Sequence, residues 1–442
     1  MTISERFPEN PALKGAGKHA WFSHDRLGMF IHWGLYALGA RHEWLKNREE
    51  LTDEHYQRYF DNFDPDLYDP KEWARRARLA GMKYVVVTTK HHEGFCLWDS
   101  KFTDYKAPNT PCGKDLLTPL VEAFRAEGLK IGFYYSLLDW HHPDFPIDLH
   151  HPLRNHPDAK ALNAGRNVAN YAAYMREQVR ELLTGFGRVD IIWFDFSYPG
   201  PAREYRGLPG KGRNDWQSER LVELARELQP EIIINNRLDL PPGTLPDITT
   251  PEQYTPRVAP AIASQGVLWE ACHTFSGSWG YHRDEDSWKS PEQIIQLLID
   301  SVALGGNLLM NVGPTGRGTF DARAIDALEV YQNWMAVNAR AIYGAGPSKL
   351  PAPAGCRYTQ RGNRLYLHVY NWPYRHIHIE GIADKVAYVQ FLHDASEIHW
   401  VTHTRDVDPN VGVMVPEGIV MLELPVRRPD VTVPVIEIVL KA

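Results

Sequence analysis

The sequence predicts an α/β chain: a (β/α)8-like (TIM) barrel at residues 1–345, followed by a small C-terminal antiparallel β-sandwich at residues 346–442. Three observations lead to this prediction. Apolar β-type runs alternate with amphipathic helical segments at least five times, which is typical of parallel βαβ units. The runs end in polar or aromatic residues, and a closed barrel brings such strand ends to one pocket. After Gly346-Pro347 and Pro351-Ala352-Pro353 the pattern changes to short period-two strands separated by turn residues.

The barrel strands are predicted in chain order from their apolar runs, at residues 27–34, 83–90, 129–136, 189–196, 231–237 and 307–314. Helices are predicted between them at residues 71–79, 115–127, 168–184, 218–228, 291–303 and 321–340, several of them closed by glycine. Segment 238–289 is predicted to be irregular. An open doubly wound sheet is the alternative, but such a sheet normally has a glycine-rich phosphate loop, and none follows these strands.

The C-terminal part is predicted to be all β. Its strands are expected at residues 364–370, 386–391, 413–415, 419–422 and 435–440, with apolar residues at every second position.

Composition excludes several classes of partner. The net charge of −7 argues against nucleic acid and against an anionic membrane surface. No run of 18 apolar residues is present to span a membrane, and the N-terminus resembles no secretory signal, so we expect a cytoplasmic protein. The four cysteines are scattered without a CxxC pair, which favours reduced thiols, although a pairing of two of them stays open. The oligomeric state stays open too, and a homo-oligomer is compatible with the sequence.

The strand at 189–196 is the centre of the functional prediction. It is apolar until Asp195, which lies between aromatic residues just before Pro199-Gly200 turns the chain. A charge at the end of a buried strand costs several kcal/mol unless it is held there. In a parallel barrel this end of the strand is also where active sites lie. The other strand ends add polar groups on the same side: His32, His91, Tyr134, Arg237 and Asn311.

Carboxylates among Trp and His residues favour glycoside cleavage, in which one carboxylate attacks the sugar and a protonated one assists the leaving oxygen. Two other functions are weighed against it. A metal-dependent hydrolase would use the histidine pairs 91–92, 141–142 and 150–151. Adjacent side chains on a strand point to opposite faces, however, and no HxH or HExxH spacing occurs, so we predict no metal and no cofactor. A polar loop surface is predicted for His141, His142, His150 and His151. The third reading is a non-catalytic sugar-binding protein.

Seven stretches, in chain order from about residue 20 to 345, resemble the α-L-fucosidases of glycoside hydrolase family 29. They are His32-Trp33-Gly34, Glu43-Trp44, Thr89 to Phe95, Gly132 to Ser136 with Asp139-Trp140, Trp193-Phe194-Asp195, Ser278 to Tyr281 and Gly306 to Pro314. The resemblance implies a retaining exo-glycosidase that removes terminal α-L-fucose, built as a barrel followed by a β-sandwich.

The resemblance also implies roles for single residues. It makes Asp195 the nucleophile and places Arg237 near the acid. An aromatic wall, Trp279, is expected against the C6 methyl group of fucose, where it would disfavour a 6-hydroxyl. The other implied sugar contacts and walls are His32, Glu43, Trp44, His91, His92, Tyr134 and Trp193.

The acid/base varies in position within the family. We predict Glu252, after the Asn-Asn-Arg strand, with Glu270 as the alternative; for Glu270 the structural interpretation is a buried carboxylate paired with Arg or a backbone amide. Glu252 is expected to be buried and protonated, with the two carboxyl groups about 5–5.5 Å apart. The chain departs from the family pattern at Leu45, Glu93 and Phe196, the last of which follows the nucleophile where glycine is common. The changes at Leu45 and Phe196 leave the linkage preference open.

Overall fold

The computed structural model describes residues 19–200, 207–208, 210–403 and 417–441. Within these residues eight parallel strands form one sheet in the order β5-β4-β3-β2-β1-β8-β7-β6. The strands are β1 (Leu27–Ile31), β2 (Tyr84–Lys90), β3 (Lys130–Ser136), β4 (Ile191–Asp195), β5 (Ile233–Ile234), β6 (Ile248–Thr249), β7 (Leu268–Thr274) and β8 (Asn307–Val312). A parallel bridge between Asn235 and Ile248 joins the two edge strands. The sheet is therefore a nearly closed barrel, as predicted.

Period-two alternation decides which side chains point into the barrel. Phe30, Tyr84, Tyr134 and Trp193 pack together there as part of one internal cluster. Their strand neighbours, such as Met29, belong to the larger core between the sheet and the helices. Side chains two positions apart on a strand share a face, so His32, two residues after Phe30, and Asp195, two residues after Trp193, also point into the barrel.

Helices cover the outside of the barrel. The long ones are α4 (Asp53–Asp61), α5 (Pro70–Leu79), α6 (Leu117–Ala126), α8 (Val168–Gly185), α10 (Ser218–Leu228), α11 (Pro291–Ala303) and α12 (Ala322–Asn338). Shorter ones are α1 (Ala20–Asp25), α2 (Tyr36–Gly39), α3 (Leu45–Arg48), α7 (Ala159–Leu162) and α9 (Arg213–Trp216), with 3₁₀ turns at Ala107–Asn109, Pro152–Asn155, Ala261–Gln265 and Ala339–Ala341. Their starts follow capping rules: Asp69 and Ser290 accept backbone N–H groups, and a proline follows each of them.

Two antiparallel sheets follow the barrel. One contains β9 (Cys356–Arg361), β10 (Arg364–Val369), β12 (Val386–Phe391) and β15 (Val435–Leu440), and the other β11 (His376–Ile379), β13 (Trp400–Thr402) and β14 (Val420–Glu423). The sheets share an apolar core of their own. Asp300 on α11 accepts hydrogen bonds from Arg357 Nε (2.8 Å) and Tyr370 Oη (2.9 Å), which ties this part of the chain to the barrel.

Three sequence predictions about secondary structure need correction. The segment predicted to be irregular, 238–289, contains the wholly regular strand β7 and the short strand β6. Glu270 and His273 interrupt the apolar pattern of β7, and their partners, Tyr84 in the barrel interior and Thr255 in a loop, are distant along the chain. Strand 231–237 is reduced to Ile233–Ile234. The strands β9, β11 and β13 were not predicted, and the predicted strand 413–415 lies outside the described residues.

Among the described residues no helix is long and apolar enough to cross a membrane. The four cysteines, all within the described part of the chain, are free thiols. The cytoplasmic location and the boundary at residue 345 stay predictions.

Candidate active site

A pocket of about 350 Å³, counted with its open mouth, lies at the carboxyl ends of the barrel strands. Its floor is made of buried side chains: Phe30, His32, Glu43, His91, His92, Tyr134, Trp193, Asp195 and Cys272. Its rim is made of four residues that stay partly open to solvent: Trp44, Phe196, Glu252 and Trp279. The structure therefore brings ten of the predicted site residues to the wall of one cavity, and Arg237 reaches it through hydrogen bonds. Phe30 and Cys272 also line the pocket, although they were not predicted as site residues.

Asp195 is the last residue of β4 and is 9% exposed. The Tyr134 hydroxyl donates a hydrogen bond to its Oδ2 (2.8 Å), and Arg237 Nη1 donates to its Oδ1 (3.0 Å). Burial raises the pKa of the Asp195 carboxyl to about 6; Arg237 and Tyr134 oppose this rise, and the negative charge of Glu252 adds to it. The carboxyl group is thus ionised at neutral pH and oriented by two donors.

Arg237 connects the two candidate catalytic carboxylates. The same Nη1 atom that binds Asp195 also donates to Glu252 Oε2 (2.8 Å). Because both oxygens lie within hydrogen-bond distance of one nitrogen, they are less than about 6 Å apart, which fits the short spacing of retaining glycosidases. Thr250 holds the guanidinium from the other side through Arg237 Nε (3.1 Å) and Nη2 (3.0 Å), and the guanidinium lies 4.7 Å from the ring centre of Trp193.

Glu252 is not buried as predicted, since its side chain is 42% exposed. Its backbone is nevertheless held against β7. Cys272 N–H donates to the carbonyl of Pro251 (3.0 Å), Gln253 N–H donates to the carbonyl of Cys272 (2.9 Å), and the Gln253 amide donates to Thr274 Oγ1 (2.8 Å). The segment that carries Glu252 thus extends the barrel wall at the rim, which places its carboxylate over Asp195.

Glu270, the alternative acid, lies in the barrel interior and outside the pocket lining. It is fully buried on β7 opposite Asn307, the first residue of β8, and it accepts a hydrogen bond from Tyr84, the first residue of β2. Asp195, by contrast, is the last residue of its strand. Glu270 stands two residues before Cys272 on the same face of β7, so its carboxylate lies one layer of side chains deeper in the barrel than the pocket floor. The predicted buried structural carboxylate is observed, but its partner is a tyrosine hydroxyl, neither Arg nor a backbone amide.

Two histidines of the floor are held as hydrogen-bond acceptors toward the cavity. Asn311 donates its amide to the carbonyl of Trp279 (2.6 Å), so its oxygen accepts from Nδ1–H of His32 (2.7 Å). The Ser136 hydroxyl donates to the carbonyl of Leu138 (2.8 Å) and therefore accepts from Nδ1–H of His92 (2.6 Å). In both rings Nε2 is left with its lone pair.

The ring charges agree with this assignment. Burial lowers the pKa of His32 to about 3 and that of His91 and His92 well below the ordinary value. All three rings are therefore neutral at physiological pH. The Nε2 atom of His92 lies 4.0 Å from Asp195 Oδ2.

Glu43 supplies a further acceptor. Its Oε2 accepts the backbone N–H groups of Trp279 (3.2 Å) and Gly280 (2.9 Å), which ties the loop after β1 to the loop after β7. Its Oε1, like Nδ1 of His91, is buried and has no hydrogen-bond partner among the described residues. Burial raises the pKa of Glu43 to about 7, against the effect of the two N–H groups. A ligand that donates hydroxyl hydrogens would satisfy this end of the pocket.

An apolar stretch of wall adjoins these polar groups: the Phe30 ring lies 4.5 Å from that of His32, measured between ring centres. The ring of Phe30 lies 5.4 Å from that of Trp193 and 5.8 Å from that of Trp279, measured between ring centres, and Trp193 stacks on Tyr134 at 5.6 Å. Phe30 carries no chemical signal in an apolar strand, but it stands two residues before His32 and so shares its inward face. Cys272 reaches the pocket by the same rule, two residues after Glu270.

The turn after β2 requires glycine at residue 94. Gly94 has a positive φ of +85°, and a Cβ atom there would lie 2.2 Å from Asp139 Oδ1. Asp139 also forms a buried ion pair with Lys90 (3.0 Å). This close approach fixes the loop that follows His91 and His92, and therefore the two rings.

The prediction of a polar loop surface is wrong for two of the loop histidines. His151 is 2% exposed, and its Nδ1 accepts the N–H of Leu153 (3.0 Å). The ring of His150 packs against Phe196 and Tyr198 at the rim. His151 is therefore buried, and His150 is half-buried against rings of a loop that is distant along the chain. Among the described residues no group of three or more His, Cys, Asp or Glu side chains is arranged to hold a metal ion.

Comparisons with known proteins agree with this geometry. A family model described as Alpha-L-fucosidase matches residues 5–340. A tissue alpha-L-fucosidase of Macaca fascicularis is 27% identical over 92% of this chain and 86% of its own length. Alpha-L-fucosidase isoenzyme 1 from Paenibacillus thiaminolyticus is 41% identical, with a TM-score of 0.87 over 96% of this chain and 99% of its own. A GH29 alpha-L-fucosidase from Bacteroides thetaiotaomicron, solved as a trapped covalent intermediate, is 28% identical, with a TM-score of 0.81 over 97% of each chain.

Proposed function

The chain belongs to the alpha-L-fucosidase family, and from that premise we propose that it is a retaining exo-glycosidase that releases terminal α-L-fucose. The observation that carries the proposal is the pair of carboxylates, Asp195 and Glu252, joined by Arg237 above a closed floor. A pocket closed at its far end accepts a terminal sugar. Family membership favours this activity over a metal-dependent hydrolase or a sugar-binding protein without catalysis.

In the first step, Asp195 attacks the anomeric carbon and the bond from that carbon to the leaving oxygen breaks. Glu252 gives its proton to the leaving oxygen, so the aglycone departs as a neutral alcohol. Asp195 suits attack because its carboxyl group is ionised above about pH 6 and is held by Tyr134 and Arg237.

In the second step, Glu252 removes a proton from water, whose oxygen bonds to the anomeric carbon while the ester to Asp195 breaks. Asp195 is neutral while it is esterified. The two displacements together retain the α configuration.

The floor of the pocket suits a 6-deoxy sugar. Acceptor groups on His32, His92 and Glu43 match ring hydroxyls that donate hydrogen. The apolar wall of Phe30 and Trp279 suits a methyl group, whose burial contributes roughly 0.8 kcal/mol. A hydroxyl at that position would lose its water without finding a partner, which costs about 1–3 kcal/mol.

The experiment compares aryl α-L-fucoside with aryl α-L-galactoside, which differs only by a hydroxyl on C6, and follows the released sugar by NMR. We expect cleavage of the fucoside with the α anomer appearing first, and a kcat/KM lower by about tenfold or more for the galactoside. First appearance of the β anomer, or equal rates on both sugars, would contradict the proposal.

The role of Asp195 is tested separately with Asp195→Ala. This variant should keep its fold and lose turnover, and added azide should restore aryl release and yield β-L-fucosyl azide. Near-normal activity without azide would remove Asp195 from the mechanism.

A further inference from the structure

Phe196, the residue after the proposed nucleophile, has an unusual backbone conformation. Its φ is +85°, in the left-handed region that bulky residues seldom adopt. The neighbouring residues fix it there: the carbonyl of Asp195 accepts the N–H of Leu137 (2.9 Å), and the Ser197 hydroxyl donates to the carbonyl of Arg237 (2.7 Å). Strain that is held in place beside an active site is a reason to look for a function of the side chain.

The ring of Phe196 lies in an aromatic wall that we define as Trp44, His150, Phe196 and Tyr198. Its centre is 5.3 Å from that of Trp44, 4.8 Å from that of His150 and 5.5 Å from that of Tyr198. The members come from three different loops, those after β1, β3 and β4. Offset and edge-to-face contacts of this kind hold the rings in place and leave their exposed faces to a ligand.

The aromatic wall has a rigid base. The Tyr198 hydroxyl donates to the carboxylate of Asp148, which also accepts from the ammonium of Lys211. Asp148 and Lys211 are 0% and 3% exposed, so this ion pair is not weakened by solvent. It joins the loop after β3 to the loop after β4 directly behind the wall.

The position of the wall indicates what binds to it. The floor of the pocket is fully buried and is suited to the terminal sugar, so the leaving group must cross the rim. Glu252, which protonates the leaving oxygen, is itself a rim residue, and Trp44 and Phe196 stand on the same rim. The first ring beyond the scissile bond therefore meets these two side chains.

We propose that Phe196 and Trp44 form a binding site for the leaving group, which selects substrates whose aglycone presents a flat apolar face. An aryl ring or the carbon–hydrogen face of a pyranose has this shape. The inference rests on the proposed function, because it assigns the leaving-group side of that same site.

The test uses Phe196→Gly and Phe196→Leu on the full chain, with three substrates. Aryl α-L-fucoside and a fucosylated disaccharide carry a ring beyond the scissile bond, whereas α-L-fucosyl fluoride carries a single atom that cannot reach the wall. In Phe196→Gly the ratio of kcat/KM for the ring-bearing substrates to kcat/KM for the fluoride should fall about tenfold or more. Phe196→Leu should give a smaller fall.

A matched control separates the ring from the backbone. Ala395→Gly introduces glycine at another residue with a positive φ, +60°, which is exposed in the loop between β12 and β13. It should leave the substrate ratio unchanged. Thermal unfolding should show that Phe196→Gly is still folded at the assay temperature, because glycine adopts this φ without strain and the loss is confined to the ring contacts.

A binding measurement gives a readout without turnover. The inhibition constants of methyl and phenyl 1-thio-α-L-fucoside should differ about tenfold in favour of phenyl in the wild type, and by much less in Phe196→Gly. Equal losses on all three substrates, or an unchanged ratio of the two inhibition constants, would overturn the proposal. A wild type that cleaves no fucoside would instead refute the proposed function, while thioglycoside binding would still report on the wall.

Discussion

Glu270→Gln tests the assignment of the buried carboxylate on β7 most directly. The glutamine side chain keeps an oxygen that can accept the hydrogen bond from the Tyr84 hydroxyl, and it has no carboxyl group that can ionise. Because Glu270 lies beneath the pocket floor and is not part of its lining, the exchange should change the pH dependence of stability without changing the leaving-group dependence of catalysis.

The magnitude follows from the pKa. Burial raises the pKa of Glu270 from 4.5 to about 7. Between these two pH values the folded chain keeps a proton that the unfolded chain has released, so the free energy of unfolding falls as pH rises. The loss is complete above about pH 7 and reaches about 3 kcal/mol, at roughly 1.4 kcal/mol for each pH unit.

The assay is urea unfolding of the wild type and Glu270→Gln at intervals from pH 4.5 to pH 8. Glu43 and Glu93, whose pKa values are also raised by burial to about 7, titrate in both proteins and cancel in the difference. We expect the stability of the variant relative to the wild type to increase by about 3 kcal/mol across this range. Any constant cost of the new amide cancels in the same way.

Two results would refute the reasoning. A stability difference that does not change with pH would show that Glu270 is not a desolvated carboxyl group. A loss of activity confined to substrates with poor leaving groups would identify Glu270 as the acid and would exclude Glu252 from that role.

Three further predictions concern the pocket. Glu252→Gln should lower kcat/KM by about 10²-fold or more for fucosides with poor leaving groups and far less for activated aryl fucosides. The measurement is kcat/KM across a series of leaving groups. Equal losses for all of them would show that Glu252 is not the acid. The wild-type kcat/KM should fall about tenfold for each pH unit below about 6, because Asp195 must be ionised to attack. Arg237→Ala should move this acidic limb of the pH profile to higher pH, since the guanidinium opposes protonation of Asp195. A limb that does not move would contradict the contact between Arg237 and Asp195. Trp279→Ala should reduce the preference for fucoside over the 6-hydroxy analogue by about three- to tenfold in paired rate measurements, whereas an unchanged ratio would separate this ring from the methyl group.

The barrel and the residues at its strand ends could be predicted because each of them leaves a local signal. The strands that contain Phe30, Val86 and Ile192 are apolar on both faces, and such runs alternate with capped helices. Asp195 stands out because a carboxylate at the end of such a run requires partners. The motifs around His91 and Asn307 then led to the family.

β7 and the loop histidines were not predicted correctly for a physical reason. Glu270 and His273 make β7 look like a loop, because a strand with two such groups needs partners for both: Tyr84 in the barrel interior for Glu270, and Thr255 in a loop for His273. The ring of His150 packs against Phe196 and Tyr198, which belong to the loop after β4. Contacts between loops or strands that are distant along the chain cannot be seen within a local window of sequence.

The sequence by itself determined the first four barrel strands, the last one and the long helices between strands, because period and capping act over a few residues, and it determined that a carboxylate ends the fourth strand. Only the tertiary structure decided which glutamate faces Asp195. Glu252 and Glu270 are both carboxylates near β7, and the register of the barrel places one at the rim of the pocket and the other in the interior beneath its floor. Register depends on long-range pairing between strands, and that pairing also converts six separate strand ends into one pocket.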